Sequence, residues 1–293
     1  MPFDRKKSLL SALCVGAVAT TGVPDADAAL VAYFEFEGTT SSTVGGITPT
    51  TLGAPTFTTG EIGQAISFDG VDDFLRIAAG NAISDLGTSG TTDGLTVSAW
   101  ISPTGGSSNI QGIIGAQVPG NNQLLQFQLV TNGGTGVTDI RSIVWVDETP
   151  LTAGFNVASG GPDISLAGTD FIHVAYTWEG GDTDELIRYI NGVAIDVVPV
   201  DTDAGGSVLA WQSGSAGDIS IGASQPAGVA FFGGEIDDLA IFDQALSPGE
   251  IAALANKTLT PLTIPEPGSM MLLAAGAGLI VLRRRRASQD PSA

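Results

Sequence analysis

The sequence predicts an all-β, antiparallel sandwich between Ala29 and about residue 256. Successive segments alternate apolar and polar residues with a period of two, and Gly, Asp, Asn or Pro bounds each segment. The chain holds 40 glycines, which suit strands joined by tight turns because glycine adopts positive φ without a steric cost. No long segment has the amphipathic period of a helix, so we expect no helices between the strands.

Twelve segments fit the strand pattern, and their order predicts a sandwich of short antiparallel strands. They are Leu30 to Phe36, Ala65 to Phe68, Phe74 to Ile77, Leu95 to Ile101, Ile110 to Ile114, Leu124 to Val130, Ile140 to Val146, Phe171 to Trp178, Glu185 to Ile190, Val193 to Val198, Ile219 to Ile221 and Gly234 to Phe242. The clearest turn is Asn191-Gly192, because Asn-Gly is the strongest short hairpin signal.

The amino-terminal 28 residues have the order of a secretory signal peptide. Three basic residues from Arg5 to Lys7 precede an apolar run, which ends before Ala26-Asp27-Ala28. We expect cleavage before Ala29. A membrane anchor is the weaker alternative, because the run of about fifteen residues is shorter than the roughly 20 needed to span a bilayer. The only cysteine, Cys14, lies in this run, so disulfides are not expected to stabilise the mature domain.

The carboxy-terminal end carries a second targeting signal. Pro265-Glu266-Pro267 is followed by an uncharged run from Gly268 to Leu282 and by Arg283, Arg284, Arg285 and Arg286. This order resembles the PEP-CTERM sorting signal. The resemblance implies export, transient anchoring in the inner membrane and processing by an exosortase-type protease, with the arginines stopping transfer on the cytoplasmic side. An ordinary anchor that is never cut is the alternative. Residues 257–264 are then a linker, and residues 287–293 are a tail.

The charge of the central region excludes one class of partner. Between Ala29 and Ile264 the chain has 26 acidic and four basic residues, which gives a formal charge of −22. A phosphate backbone would be repelled, since nucleic-acid binding depends on basic contacts. We therefore expect no nucleic-acid partner.

Several segments together resemble a laminin-G-like domain of the concanavalin A-like jelly-roll class. In chain order they are residues 30–38, 63–73, 95–101, 171–176, 189–192, 219–222 and 234–251. The resemblance implies a jelly-roll sandwich that recognises glycan or protein ligands. One fold hosts many functions, so the resemblance does not identify the ligand.

Enzymes of this fold need two carboxyl groups across the scissile bond. The glucanases that the sequence resembles place them on one strand, in an E-x-D-x-E or E-x-D-x-x-E pattern. Here Glu235 and Asp237 begin that pattern, but Leu239 and Ala240 occupy both positions of the second glutamate. The only histidine, His173, lies between apolar residues and is expected to be packed rather than catalytic. We expect no enzyme activity, with a hydrolase as the minor alternative.

A calcium site is the most speculative expectation, because the acidic domain lacks His and Cys clusters and a hard cation prefers oxygen ligands. Laminin-G-like domains often hold calcium where the first and last strands meet. The resemblance places Glu37, Asp237 and Asp238 there, with Asp69, Asp72 and Asp73 as the second choice. The alternative is that these carboxylates only keep the surface soluble.

The four tryptophans divide into two groups. The resemblance assigns Trp100 and Trp178 to the interior. Trp145 and Trp211 are candidates for a sugar-stacking platform, with burial as the alternative. The sequence thus predicts an exported surface or matrix protein that binds a glycan or a surface protein and is linked to exopolysaccharide. The alternative is a structural matrix component without a ligand site.

Overall fold

Two antiparallel sheets pack face to face in the computed structural model of the protein. The structure describes residues 30–105, 108–118, 122–131, 137–148, 151–158, 164–165, 170–180, 185–199, 208–211 and 215–264. The predicted signal peptide lies outside these residues, as do the Pro265 to Pro267 motif, the apolar run after it and the four arginines. In the described part of the chain, no helix has the length and apolar composition needed to cross a membrane.

The strands are short and follow one another with few helices between them. In chain order they are β1 Leu30–Phe34, β2 Thr50–Leu52, β3 Thr56–Thr59, β4 Gln64–Asp69, β5 Phe74–Ile77, β6 Gly94–Pro103, β7 Ile110–Val118, β8 Asn122–Thr131, β9 Val137–Glu148, β10 Leu151–Ala158, β11 Ile164–Ser165, β12 Ile172–Glu179, β13 Glu185–Ile190, β14 Val193–Pro199, β15 Val208–Leu209, β16 Ile219–Ile221, β17 Ala223–Gln225, β18 Val229–Phe231 and β19 Gly233–Phe242. The helices are α1 Ala82–Leu86, α2 Pro248–Ala255 and the 3-10 turn η1 Pro261–Thr263.

Each sheet mixes strands from distant parts of the chain. Sheet A has the order β14-β13-β12-β6-β19-β4-β3, and β1 also pairs with β19. Sheet B has the order β10-β9-β8-β7-β16-β5-β2, and β11 and β15 pair with β9. Strands β17 and β18 form a separate hairpin. The predicted antiparallel sandwich is therefore confirmed.

All twelve predicted strands are present, several of them longer at one or both ends. Seven further strands were not predicted, namely β2, β3, β10, β11, β15, β17 and β18. The expectation of no intervening helix was wrong, because α1 lies between β5 and β6. The Asn81 side chain caps this helix by accepting hydrogen bonds from the backbone N–H groups of Ile83 (2.9 Å) and Ser84 (3.1 Å). One turn of helix is too short for an amphipathic period to show in the sequence.

The main core lies between the sheets and is built by strict alternation. On β12, Val174, Tyr176 and Trp178 point into it, while His173 and Ala175 point away. Every residue of β6 is buried nonetheless. The outer face of sheet A must therefore be covered as well.

Helix α2 provides that cover. A second apolar cluster on the outer face of sheet A contains Tyr33, Ala175, Tyr189, Ala240, Phe242, Leu246, Ile251 and Leu254. The Asn191-Gly192 turn lies against this helix, since a Cβ on Gly192 would stand 2.9 Å from the Cα of Ala252. Both turn residues have positive φ, as a type I′ hairpin requires. The predicted linker also packs here, because Pro261 is buried and Ile264 contacts the cluster.

The hairpin of β17 and β18 lies directly on sheet B. A Cβ on Gly112 or Gly115 of β7 would stand 2.1 Å or 2.0 Å from the backbone of Ser224. Glycine is needed at both positions because no side chain fits between the two backbones. The hairpin thus covers one part of the outer face of sheet B.

Candidate functional site

Strand β19 carries a bulge where the predicted calcium ligands lie. Asp237 pairs with Trp100, but the next paired residue is Ala240, opposite Ser98. Asp238 adopts a positive φ of 48° at this bulge, a conformation that Asp tolerates better than most residues. Bulges re-aim side chains, and here both aspartates are buried.

Asp237 is held by the turn between β3 and β4. Its Oδ2 accepts a hydrogen bond of 3.0 Å from the backbone N–H of Ile62, while Oδ1 is buried and has no partner. A Cβ on Gly60 would stand 2.4 Å from Oδ2, so glycine is required for this approach. Burial raises the pKa of Asp237 to about 7, and the charge of Asp238 adds to the rise against the opposing Ile62 hydrogen bond.

Asp238 is the partner of a buried tyrosine. The Tyr33 hydroxyl donates a hydrogen bond to its Oδ1, and Oδ2 is buried without a partner. Burial raises the pKa of Asp238 to about 6. The charges of Glu35 and Glu37 raise it further, and the Tyr33 hydrogen bond opposes them. We call this cluster the acidic corner (Glu35, Glu37, Asp237 and Asp238).

The first-choice calcium ligands meet at this corner without converging. Glu37 is exposed, and its Oε1 accepts a hydrogen bond of 3.1 Å from the backbone N–H of Gln64. Within the described residues, the only three acidic side chains with oxygens mutually within 4.8 Å are those of Asp69, Asp72 and Asp73. The orphaned oxygens of Asp237 and Asp238 fit a hard cation, and the spacing to Glu37 requires a side-chain shift before all three bind one ion.

The second-choice cluster has a simpler explanation. Asp69 Oδ1 accepts hydrogen bonds from the backbone N–H groups of Val71 (2.8 Å) and Asp72 (3.2 Å), and these bonds lower its pKa, chiefly the one from Val71. Asp73 accepts from the N–H groups of Ala54 (2.5 Å) and Asp69 (3.1 Å). The carboxylates therefore cap turns, which accounts for their positions without an ion.

Three tryptophans are buried. Trp178 lies in the main core as expected, whereas Trp100, also buried, lies on the opposite face of sheet A beneath Lys257. Trp211 is 1% exposed and its indole N–H donates a 2.8 Å hydrogen bond to the carbonyl of Ser84. The platform hypothesis does not hold for Trp211, because neither face of its ring is open to a sugar.

Trp145 is different, since it lies half-buried on the outer face of sheet B. Its position opposite on β10 is Gly154, which has no side chain to cover the indole. The indole N–H is buried and has no hydrogen-bond partner. An unpaired buried donor costs free energy.

A row of polar side chains accompanies Trp145 on this face. The Gln128 amide donates to Gln126 Oε1 (2.9 Å), and Arg141 Nε donates to Gln128 Oε1 (2.9 Å). Both glutamines are buried, whereas Arg141 is partly exposed, and burial lowers its pKa. The glutamines hold the guanidinium in one orientation. We call Gln126, Gln128, Arg141 and Trp145 the polar row.

The residues considered for catalysis are packed. His173 is 1% exposed, its Nε2 lies 2.9 Å from Ser98 Oγ, and its ring meets Trp100 edge-on at 5.2 Å. Burial lowers its pKa to about 4. Leu239 lies in the main core and Ala240 in the outer cluster, so both positions where a second catalytic glutamate would stand serve packing.

Comparison of the sequence with protein-family models agrees with the observed fold. The family model of the concanavalin A-like lectin/glucanases superfamily, of the laminin-G type, matches residues 68–252. The chain belongs to this superfamily. A PEP-CTERM protein-sorting motif matches residues 263–286, and it indicates export with an anchored sorting signal and implies exosortase processing. Comparison with curated proteins gave no match.

Solved structures share the fold. Domain 4 of AbnA, a GH43 extracellular arabinanase from Geobacillus stearothermophilus in complex with arabinotriose, is 22% identical with a TM-score of 0.55, over 78% of this chain and 99% of that one. The binding domain of botulinum neurotoxin DC in complex with SialylT is 15% identical with a TM-score of 0.52, over 79% of this chain. The present chain therefore matches only about half of the neurotoxin binding domain, 52% of its length. At these identities the likeness establishes the fold alone.

Proposed function

We propose that this protein is an exported, non-enzymatic surface or matrix protein that is linked to exopolysaccharide. Its jelly-roll domain binds a glycan. The observation that carries the proposal is the polar row, which includes Trp145. A guanidinium oriented by two buried glutamines and an indole with an unpaired N–H lie on one face of one strand.

The geometry of this face suits a sugar chain. Arg141 and Trp145 are four residues apart on β9, so they point to the same side, about 13 Å apart along the strand. An indole stacks on the apolar face of a sugar ring. A guanidinium offers five donors in a fixed plane. Two anchors at this spacing favour an oligosaccharide over a single sugar.

The fold neighbours support the same ligand class. The arabinanase domain was solved with arabinotriose and the neurotoxin domain with SialylT. The charge of −22 between Ala29 and Ile264 favours neutral glycans, because an acidic polymer would be repelled. Arg141 offers a local positive charge on an otherwise acidic domain.

A titration of the purified protein against a polysaccharide panel tests the proposal. We expect saturable binding of at least one neutral glycan and no release of reducing ends. Absence of binding across the panel would favour a structural matrix component. Release of reducing ends that disappears in Glu235→Gln would instead establish a hydrolase.

The sorting motif gives the proposal a second, independent test. If an exosortase-type protease reads the tail, the intact mass of the surface-released protein should begin near Ala29 and end near Pro265. A surface-released species that still carries Arg283 to Arg286 would contradict this processing. Replacing the four arginines with serine should weaken retention of the span, since positive clusters fix orientation.

A calcium ion at the acidic corner is the proposed cofactor. Glu37, Asp237 and Asp238 would hold it, and the two unpaired carboxylate oxygens are the support. The ion would neutralise Asp237 and Asp238, whose pKa values are raised by burial and by neighbouring carboxylate charges. Its contribution would be to the stability of the β1 and β19 junction rather than to chemistry.

A further inference from the structure

The folded domain and the sorting signal overlap in the chain. The sorting motif matches from residue 263 onward, whereas the described fold continues to Ile264. The last five residues of that fold, Thr260 to Ile264, form a short segment that we call the strap. The final two residues of the strap are therefore also the first two residues of the matched signal.

Hydrogen bonds hold the strap in one turn of 3-10 helix. The backbone N–H of Thr263 donates to the carbonyl of Thr260 (2.9 Å), and the Thr263 hydroxyl accepts from the backbone N–H of Thr260 (2.8 Å). Pro261 occupies the first position of the turn, where no N–H is required and its fixed φ suits the helix. The turn therefore has a defined conformation that is not extended.

Packing and hydrogen bonds fix this segment to the domain along its length. Pro261 is buried, and its turn packs against β1. Ile264 contacts the apolar cluster on the outer face of sheet A. Ahead of the strap, the backbone N–H groups of Thr258 (3.0 Å) and Leu259 (3.3 Å) donate to the carbonyl of Ala253 in α2. The described chain between α2 and the end of the strap is thus not a free linker.

A docked strap conflicts with cleavage next to it. Proteases cut exposed segments or segments that have opened away from the folded surface. Cleavage near Pro265 requires the residues directly before it to enter the protease, so the strap must first leave β1. When opening is fast relative to cleavage, the rate of cleavage follows the fraction of molecules that are open.

From these contacts we infer that the strap is an autoinhibitory contact, whose docking on β1 limits the rate at which the sorting tail is cut. Local opening frees the strap, and the processing protease cuts the open form. The inference rests on the proposed processing near Pro265 and adds a control that the domain itself exerts. The lifetime of the anchored precursor then depends on the stability of this contact as well as on the motif.

Hydrogen exchange of the purified protein measures the docking without any protease. We expect the amide of Thr263 to exchange at least about tenfold more slowly than in an unfolded chain, because it donates to the Thr260 carbonyl. Pro261→Ala removes the buried ring and should speed this exchange. Leu262→Ala is the matched control, because the Leu262 side chain lies in the same turn but is 52% exposed, and it should leave the exchange unchanged.

Pulse-chase labelling of the full-length chain, in a bacterium that has an exosortase-type protease, measures the rate of processing. We expect Pro261→Ala to shorten the half-life of the precursor about threefold or more, since loss of the buried ring weakens the docking. Leu262→Ala should keep the wild-type half-life. Both substitutions lie before residue 263, where the matched signal begins, so the signal itself is the same in all three chains.

Three results would overturn the inference. These are unprotected exchange at Thr263 in the wild type, equal half-lives of wild type and Pro261→Ala despite faster exchange in the variant, or a longer half-life in the variant, which would mean that the turn presents the motif to the protease. A wild-type precursor that is never cut would contradict the proposed processing and this inference together. Equal half-lives would contradict the inference alone, so the two failures are distinguishable.

Discussion

The two outer faces of the sandwich are covered by different kinds of side chain. The outer face of sheet A is sealed by α2 over an apolar cluster that includes Phe242 and Ile251. The outer face of sheet B instead carries the polar row of glutamine, arginine and tryptophan side chains. Apolar burial stabilises a fold without directional demands, whereas fixed polar groups cost free energy unless paired. The apolar cluster under α2 stabilises sheet A, and the polar row that carries the proposed function lies on sheet B.

The largest expected effect tests the sealed face. Phe242 is 1% exposed in the outer cluster, so Phe242→Ala should lower the free energy of unfolding by about 3–5 kcal/mol. Urea denaturation followed by tryptophan fluorescence measures this. Val229→Ala, at a position 47% exposed, is the control and should change stability by less than about 0.5 kcal/mol. Equal effects of the two substitutions would show that α2 does not seal this face.

The buried histidine of the sealed face predicts a pH dependence. Unfolded His173 takes up a proton below about pH 6.5, but burial lowers the folded pKa to about 4. Stability should therefore fall as the pH drops from about 6.5 to about 4, by about 3 kcal/mol in all. The raised pKa values of Asp237 and Asp238 act in the opposite direction.

The difference between wild type and His173→Gln isolates the histidine from those aspartates. We expect the wild type to lose stability relative to the variant across that pH window, measured by urea denaturation at several pH values. Parallel pH profiles for the two proteins would contradict a neutral, buried His173.

The acidic corner, where the end of β1 meets the bulge of β19, gives a somewhat smaller effect. Bound calcium should raise the free energy of unfolding by about 2.7 kcal/mol when free ion is a hundred times the dissociation constant. The melting temperature should rise with calcium and fall with chelator, and Asp238→Asn should blunt the response. Asp72→Asn is the comparison variant, and a response lost there instead would place the ion in the second-choice loop. An unchanged melting curve under chelation would rule out a calcium site of consequence.

Local signals in the sequence were sufficient for most of the fold. Asn191-Gly192 predicted its turn because two adjacent residues determine its backbone. The interior position of Trp178 came from the family resemblance and is confirmed, whereas Trp100, assigned to the interior in the same way, lies on the other face of sheet A. The missed strands are short, such as the exposed Thr-rich β3, where alternation carries little information. Strand β10 contains Gly154, which interrupts its β-branched pattern.

The sites depended on contacts that no local pattern reveals. The local sequences around Trp211 and Trp145 do not show which of the two is covered, and only the fold decides that Trp211 is buried against Ser84 while Trp145 lies opposite Gly154. The polar row requires the register of β8 against β9, which places Gln128 opposite Arg141. The buried state of Asp237 follows from a turn 175 residues away in the chain. Such pairings arise from sheet topology. The sequence alone could therefore identify candidate residues, but it could not predict which of them lie together in the fold.

The most direct test of the account compares glycan affinity in variants of the two faces. Arg141→Gln and Trp145→Ala should each weaken binding of the best neutral glycan about tenfold, which corresponds to about 1.4 kcal/mol. Lys257→Gln, which removes a charge from the sealed side, should leave that affinity unchanged, and melting temperatures would confirm that all three variants fold. Wild-type affinity in both sheet B variants, or an equal loss in Lys257→Gln, would contradict the assignment of recognition to the polar row.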